Sequence, residues 1–130
     1  MRALLLALVV VASDPSVFVS QTNYKKVEKK SVEVRITLTA KPGWKFNSEY
    51  PLWLHGYKNK IHADNRLPGE VTYTTLPANS GTEFTFRAPL KEFSLTNDKL
   101  FVKISFSFCN ETTCRVWRGE VFKFAKKDLK

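Results

Sequence analysis

From Ser31 the chain alternates strictly. Val32, Val34, Ile36, Leu38 and Ala40 are apolar, while Glu33, Arg35, Thr37, Thr39 and Lys41 between them are polar. A period of two predicts a β-strand with one packed face and one wet face. Pro42-Gly43 then breaks it. Trp44-Lys45-Phe46 resumes an extended piece that residues 50–57 continue, and Pro51 suits only an edge or the first position of that strand. Residues 58–68 read as a polar connection. Residues 70–76 and 82–87 predict two further strands around a turn at 77–81, and Phe93 with Leu95 predicts a short one ending at Asn97-Asp98. The best-defined unit comes last, with Leu100, Val102, Ile104, Phe106 and Phe108 on one face, followed by a returning strand over residues 114–124. About seven or eight short antiparallel strands with frequent turns, and no helical periodicity, predict an all-β domain: an immunoglobulin-like β-sandwich over residues 31–125. A small closed barrel is the alternative.

The ends are different. Residues 14–30 read as a polar lead-in and residues 126–130 as a basic tail. Before them, Met1-Arg2 precedes an unbroken apolar run from Ala3 to Ala12, with Val10 and Ala12, or Val11 and Ser13, at the small positions of a cleavage site. That is the grammar of a secretory signal peptide over residues 1–13. The run is about half of the roughly 20 residues a bilayer-spanning helix needs. Export to a periplasmic or extracellular compartment is expected, without stable membrane insertion, and a buried first strand is the alternative. No cysteine stands near the cleavage region to carry a lipid.

Composition supports the β reading. Ten Phe, three Trp and four Tyr in 130 residues supply a core that needs no staple. The formal charge of +9 becomes +8 once Arg2 leaves with the leader. Lysines gather at positions 25, 26, 29 and 30 and again at 123, 126, 127 and 130. Two readings are open: solvated, solubilising ends, or attraction to a polyanion or an anionic membrane surface. Nucleic acid is not an expected partner, because the chain has no helix-turn-helix pattern, no zinc-finger spacing and no arginine–aromatic RNA motif.

The two cysteines, Cys109 and Cys114, flank the polar residues Asn110, Glu111, Thr112 and Thr113. A four-residue hairpin loop sets them directly opposite each other, where Cα atoms lie roughly 4.5–5.5 Å apart and a disulfide can close. So short a loop contributes only about 2 kcal/mol. Cys109 is in phase with Phe101, Lys103, Ser105 and Ser107, on the polar side of its strand. Arg115, with Lys103 or Arg118, would favour a thiolate, and Glu111 opposes it. The residues alone leave two readings in balance: Cys109 and Cys114 as a catalytic pair for thiol–disulfide exchange, or as an inert hairpin clasp.

The segment Lys41-Pro-Gly-Trp-Lys-Phe-Asn47, followed by Pro51 and Leu52, resembles a recurring P-G-W-x-I-N … P-L stretch. It is found in the N-terminal periplasmic domain of the thiol–disulfide interchange protein DsbD and in stand-alone disulfide bond corrector domains. The resemblance runs from about Val32 to Phe124 and includes a late cysteine pair on a hairpin. It implies an immunoglobulin-like sandwich whose Cys109 and Cys114 pass electrons from a membrane-embedded donor to oxidised thiol proteins of the periplasm. The alternative is a non-enzymatic immunoglobulin-like binding or assembly module with a structural bridge. The chain departs from the family in carrying Arg115 where proline often follows the second cysteine, and in spacing its cysteines by four residues where DsbD has five. DsbD also shields its cysteines with an aromatic cap loop, and residues 74–81, its expected place here, contain no aromatic residue.

Other chemistry has less to stand on. His55 and His62, with Asp64 nearby, are too poorly spaced for a metal site, and a surface role is expected for them. There is no nucleophile elbow and no glycine-rich phosphate loop. No cofactor and no metal is expected. Asn110-Glu111-Thr112 matches a glycosylation acceptor, which matters only in a eukaryotic secretory pathway.

Overall fold

A computed structural model describes residues 16–130, so the expected leader over residues 1–13 lies outside the described residues. Eight strands follow in order: β1 (Phe18–Val27), β2 (Ser31–Ala40), β3 (Lys45–Phe46), β4 (Trp53–Lys58), β5 (Glu70–Thr75), β6 (Gly81–Pro89), β7 (Leu100–Cys109) and β8 (Cys114–Phe124). They form two antiparallel sheets. One has the order β1-β2-β6-β5. In the other, β7 is central: β3 and β4 share one of its flanks, opposite residues 108–109 and 100–105, and β8 lies along the other. This is the strand order of a constant-type immunoglobulin sandwich, with one strand broken into β3 and β4.

Alternation builds the core as the sequence predicts. Val32, Val34, Ile36 and Leu38 of β2 meet Leu100, Val102, Ile104, Phe106 and Phe108 of β7 between the sheets, all at most 1 % exposed. Aromatic rings fill one end: Phe18 stacks on Phe108 at 5.3 Å and stands edge-on to Phe106 and Trp117 at 5.2 and 5.0 Å. Offset and edge-to-face contacts of this kind add to the burial of each ring. Trp117 faces inward at an odd position, yet Phe122 and Phe124 do so at even ones. A bulge opposite Ile104/Ser105, with Gly119 at φ +133°, supplies the extra residue that changes the phase.

Three expectations are corrected. Residues 14–30 are not an irregular lead-in, since β1 spans most of them and pairs with β2 along its whole length. Its inward positions include Ser20 and Thr22, which conceal the alternation that Phe18 and Tyr24 begin. Phe93 and Leu95 form no strand. A 3₁₀ turn over Leu90–Glu92 drops Phe93 into the core, and Asp98 then closes the following loop by accepting from Ser94 N–H at 2.8 Å. Residues 126–130 are not a free tail. A 3₁₀ turn brings Leu129 beside Tyr24, and Lys130 N–H donates to the Tyr24 carbonyl.

Candidate functional site

The β7–β8 turn places the cysteines. Asn110 N–H donates to the Thr113 carbonyl at 2.9 Å, and the Asn110 side-chain oxygen accepts from Thr112 N–H and Thr113 N–H at 2.9 and 2.8 Å. This asparagine-centred turn organises the four-residue loop without help from sulfur. Cys109 and Cys114 then fall opposite each other, next beyond the hydrogen-bonded Asn110–Thr113 pair, where facing strands approach most closely. They are joined by a disulfide with Cα atoms 3.9 Å apart, tighter than the sequence-based expectation. Cys109 is half-buried and Cys114 exposed.

The cationic surroundings differ from those expected. Arg115 opposes Phe108, on the other face of the sheet from the cysteines, and its guanidinium lies 5.9 Å from the Trp117 ring centre. Lys103 sits six positions along β7 from Cys109, about 20 Å away, and Arg118 opposes Ser105, about 13 Å away. The near cation is Lys45, paired directly with Cys109 across β3, so its exposed side chain shares their face. Lys45, Cys109 and Cys114 therefore form one lateral row across three strands. Lys45 belongs to the Pro-Gly-Trp segment, so the motif and the cysteine pair, far apart in sequence, are neighbours in space. Phe46, one residue on, is buried edge-to-face against Phe108 at 5.7 Å, and Trp44 packs against the core.

Below the cysteines the outer face of β7 is polar but covered. Ser105 and Ser107 are fully buried; Ser107 Oγ donates to the Arg115 carbonyl at 2.8 Å and lies 3.4 Å from Asn47 Nδ2. Tyr50 Oη is 3.5 Å from Ser105 Oγ, and that contact, reinforced by Arg118, lowers the tyrosine pKa below its ordinary value. The turn over residues 76–80, within the 74–81 stretch expected to hold a cap, lies at the same end of the sandwich. It is tied to the other sheet by bonds from Ala40 N–H to the Ser80 carbonyl and from Leu76 N–H to the Gly81 carbonyl.

The histidines are apart from this site. His55 stacks on Trp53 at 4.9 Å, and burial, with Arg66 and Lys103 nearby, lowers its pKa. His62 Nδ1 accepts from Asp64 N–H at 3.1 Å, capping a short 3₁₀ turn. Among the described residues no group of three or more His, Cys, Asp or Glu is placed to share a metal ion. No described helix is long and apolar enough to cross a membrane.

Fold and hairpin bridge together define the chain as an immunoglobulin-like β-sandwich with a disulfide across its last turn. Neither a protein-family model nor a curated protein sequence matches it. Among solved structures it is similar to the N-terminal periplasmic domain of ScsB from Proteus mirabilis, at 10% identity and a TM-score of 0.53 over 95% of this chain. The chain spans about half of that structure, 51% of its length, and at this identity the likeness is one of fold.

Proposed function

We propose that this domain is an exported thiol–disulfide exchange module working through Cys109 and Cys114. The observation that carries the reading is the row Lys45–Cys109–Cys114 at the rim of the sandwich, on a turn that has hydrogen bonds of its own from Thr112 N–H and Thr113 N–H to Asn110. An incoming thiolate attacks Sγ of exposed Cys114, the disulfide breaks, and Cys109 leaves as a thiolate beside the Lys45 ammonium. A second thiolate of the same partner then attacks the mixed disulfide and releases Cys114. Two electrons and two protons have passed from the partner dithiol to the domain, and the reverse sequence hands them to an oxidised acceptor. The fold likeness to a periplasmic domain and the leader-like N-terminus support a periplasmic setting. The motif resemblance to DsbD and disulfide bond corrector domains supports thiol proteins as partners, with a membrane-embedded donor upstream.

Single-cysteine variants test this. Cys109→Ser, which keeps the exposed sulfur and removes the resolving one, is expected to accumulate mixed disulfides by attack of the Cys114 thiolate on oxidised, disulfide-form periplasmic thiol proteins, whereas Cys114→Ser accumulates few. Absence of mixed disulfides in both would assign the bridge to the clasp role in a binding or assembly module.

A further inference from the structure

The lysines have a spatial order that the sequence conceals. Val27 pairs with Ser31, Ser31 with Pro89, and Leu90 N–H donates to the Lys30 carbonyl. Lys58 pairs with Leu100, Leu100 with Phe124, and Lys130 N–H reaches the Tyr24 carbonyl. Residues 25–31, 58–60, 89–99 and 123–130 thus form one end of the sandwich, opposite the cysteines. That end carries twelve of the fifteen lysines, no arginine and four carboxylates, so +8 of the formal +9 resides there.

Little of this charge is neutralised within the domain. Of those twelve lysines, only Lys25 has a carboxylate partner among the described residues, Glu33 at 4.0 Å. Two of the four carboxylates are engaged: Asp98 by Ser94 N–H and Asn59, and Asp128 by Ala125 N–H. A concavity of about 440 Å³ opens there between Lys99, Lys123 and Lys127. The β1–β2 turn adds a second observation. Glu28 and Lys29 adopt φ of +55° and +62°, where Asn-Gly is intrinsically favoured. The chain keeps a lysine at the tip at a cost in backbone energy.

We infer that this lysine pole docks the domain peripherally on an anionic phospholipid bilayer, turning the Cys109–Cys114 rim outward. Ammonium groups spread over several turns of a blunt end suit a layer of diffuse negative headgroups. A partner read through planar bidentate contacts would call for arginine, which the pole lacks, and single-stranded nucleic acid would call for exposed aromatic platforms beside the cations. A ten-residue strand separates the two ends by about 33 Å, so a docked domain would hold its disulfide beyond several Debye lengths of the surface. The inference stands or falls separately from the exchange reading.

The test is co-sedimentation of the chain without its expected leader, residues 14–130, with vesicles of phosphatidylglycerol and phosphatidylcholine, against pure phosphatidylcholine, at physiological ionic strength. Binding only to the anionic vesicles is expected. Each lysine near such a surface is worth roughly five-fold, so replacing Lys26, Lys29, Lys126 and Lys127 with Gln should weaken binding on the order of several hundred-fold. Replacing Lys41, Lys45 and Lys103 should leave it nearly unchanged. Lys29→Gly should raise the thermal midpoint while lowering vesicle affinity, opposite signs that a folding defect cannot produce. Equal binding to neutral vesicles, loss of binding at physiological salt, equal sensitivity to the two lysine sets, or tighter binding to an oligonucleotide than to the anionic vesicles would overturn the inference.

Discussion

Removing the disulfide should cost the domain little. The bridge joins residues five apart. Loop closure over so short a span constrains the unfolded chain by about 2 kcal/mol. The native turn does not need the bridge, because the Asn110 side-chain oxygen already holds Thr112 N–H and Thr113 N–H. Beyond the turn, β7 and β8 stay registered through Phe106, Trp117, Phe122 and Phe124, all inside the core. The Cys109→Ser/Cys114→Ser variant is therefore expected to lose about 2 kcal/mol or less. In urea the midpoint should fall with an unchanged slope, because the same surface is exposed on unfolding. The thermal midpoint should drop by about 10 °C at most. Phe108→Ala provides the contrast within the same hairpin. Its ring touches Phe18, Phe46, Phe106 and Trp117, and truncating such a ring costs about 3–5 kcal/mol. The reasoning is refuted if the double serine variant loses more than the Phe108 variant, or unfolds without denaturant. The bridge would then be a stability element.

Three further outcomes follow from other parts of the structure. A Cβ at Gly56 would come within 2.5 Å of the Phe86 ring across the sandwich, so Gly56→Ala should cost about 1–3 kcal/mol by overpacking in equilibrium unfolding. The Tyr24 hydroxyl is buried without a partner among the described residues, and burial, with Asp128 and Asp98 nearby, pushes its pKa up to about 12. The raised value means the folded state holds this proton more tightly, so its contribution is intact below pH about 10 and is lost between about 10 and 12. Tyr24→Phe should flatten that alkaline loss in a pH series of urea melts and leave neutral stability equal or higher. Lys45→Glu should slow the reaction of the reduced pair with a thiol-specific reagent at neutral pH several-fold, by setting a like charge beside the Cys109 thiolate; an unchanged rate would remove Lys45 from the site.

The strands that alternate cleanly, β2 and β7, are legible in the sequence because each has one apolar face and one polar face. β1 is not, because Ser20 occupies a fully buried position and the outward residues of an edge strand are polar in any case. Phe93 misleads in the opposite sense: a buried aromatic next to Leu95 mimics alternation, while Asp98 ties the backbone into a turn. The facing cysteines could be read from loop length alone, since hairpin partners are set locally. Lys45 could not, because its pairing with Cys109 depends on which strand flanks β7, a property of the whole sandwich. Once β3 is recognised as the strand after the Pro-Gly break, the constant-type order puts it beside β7 and brings Lys45 into view. The lysine pole needed the same global information, since its parts come from three connections and the C-terminal segment, spread across the chain.

The central claim is that Cys109 and Cys114 exchange, and the equilibrium reduction potential of the purified domain against a glutathione buffer tests it most directly. A value within the roughly −120 to −270 mV range of exchange proteins is predicted. A value below about −300 mV, with the bridge intact under mild reductant, would contradict it.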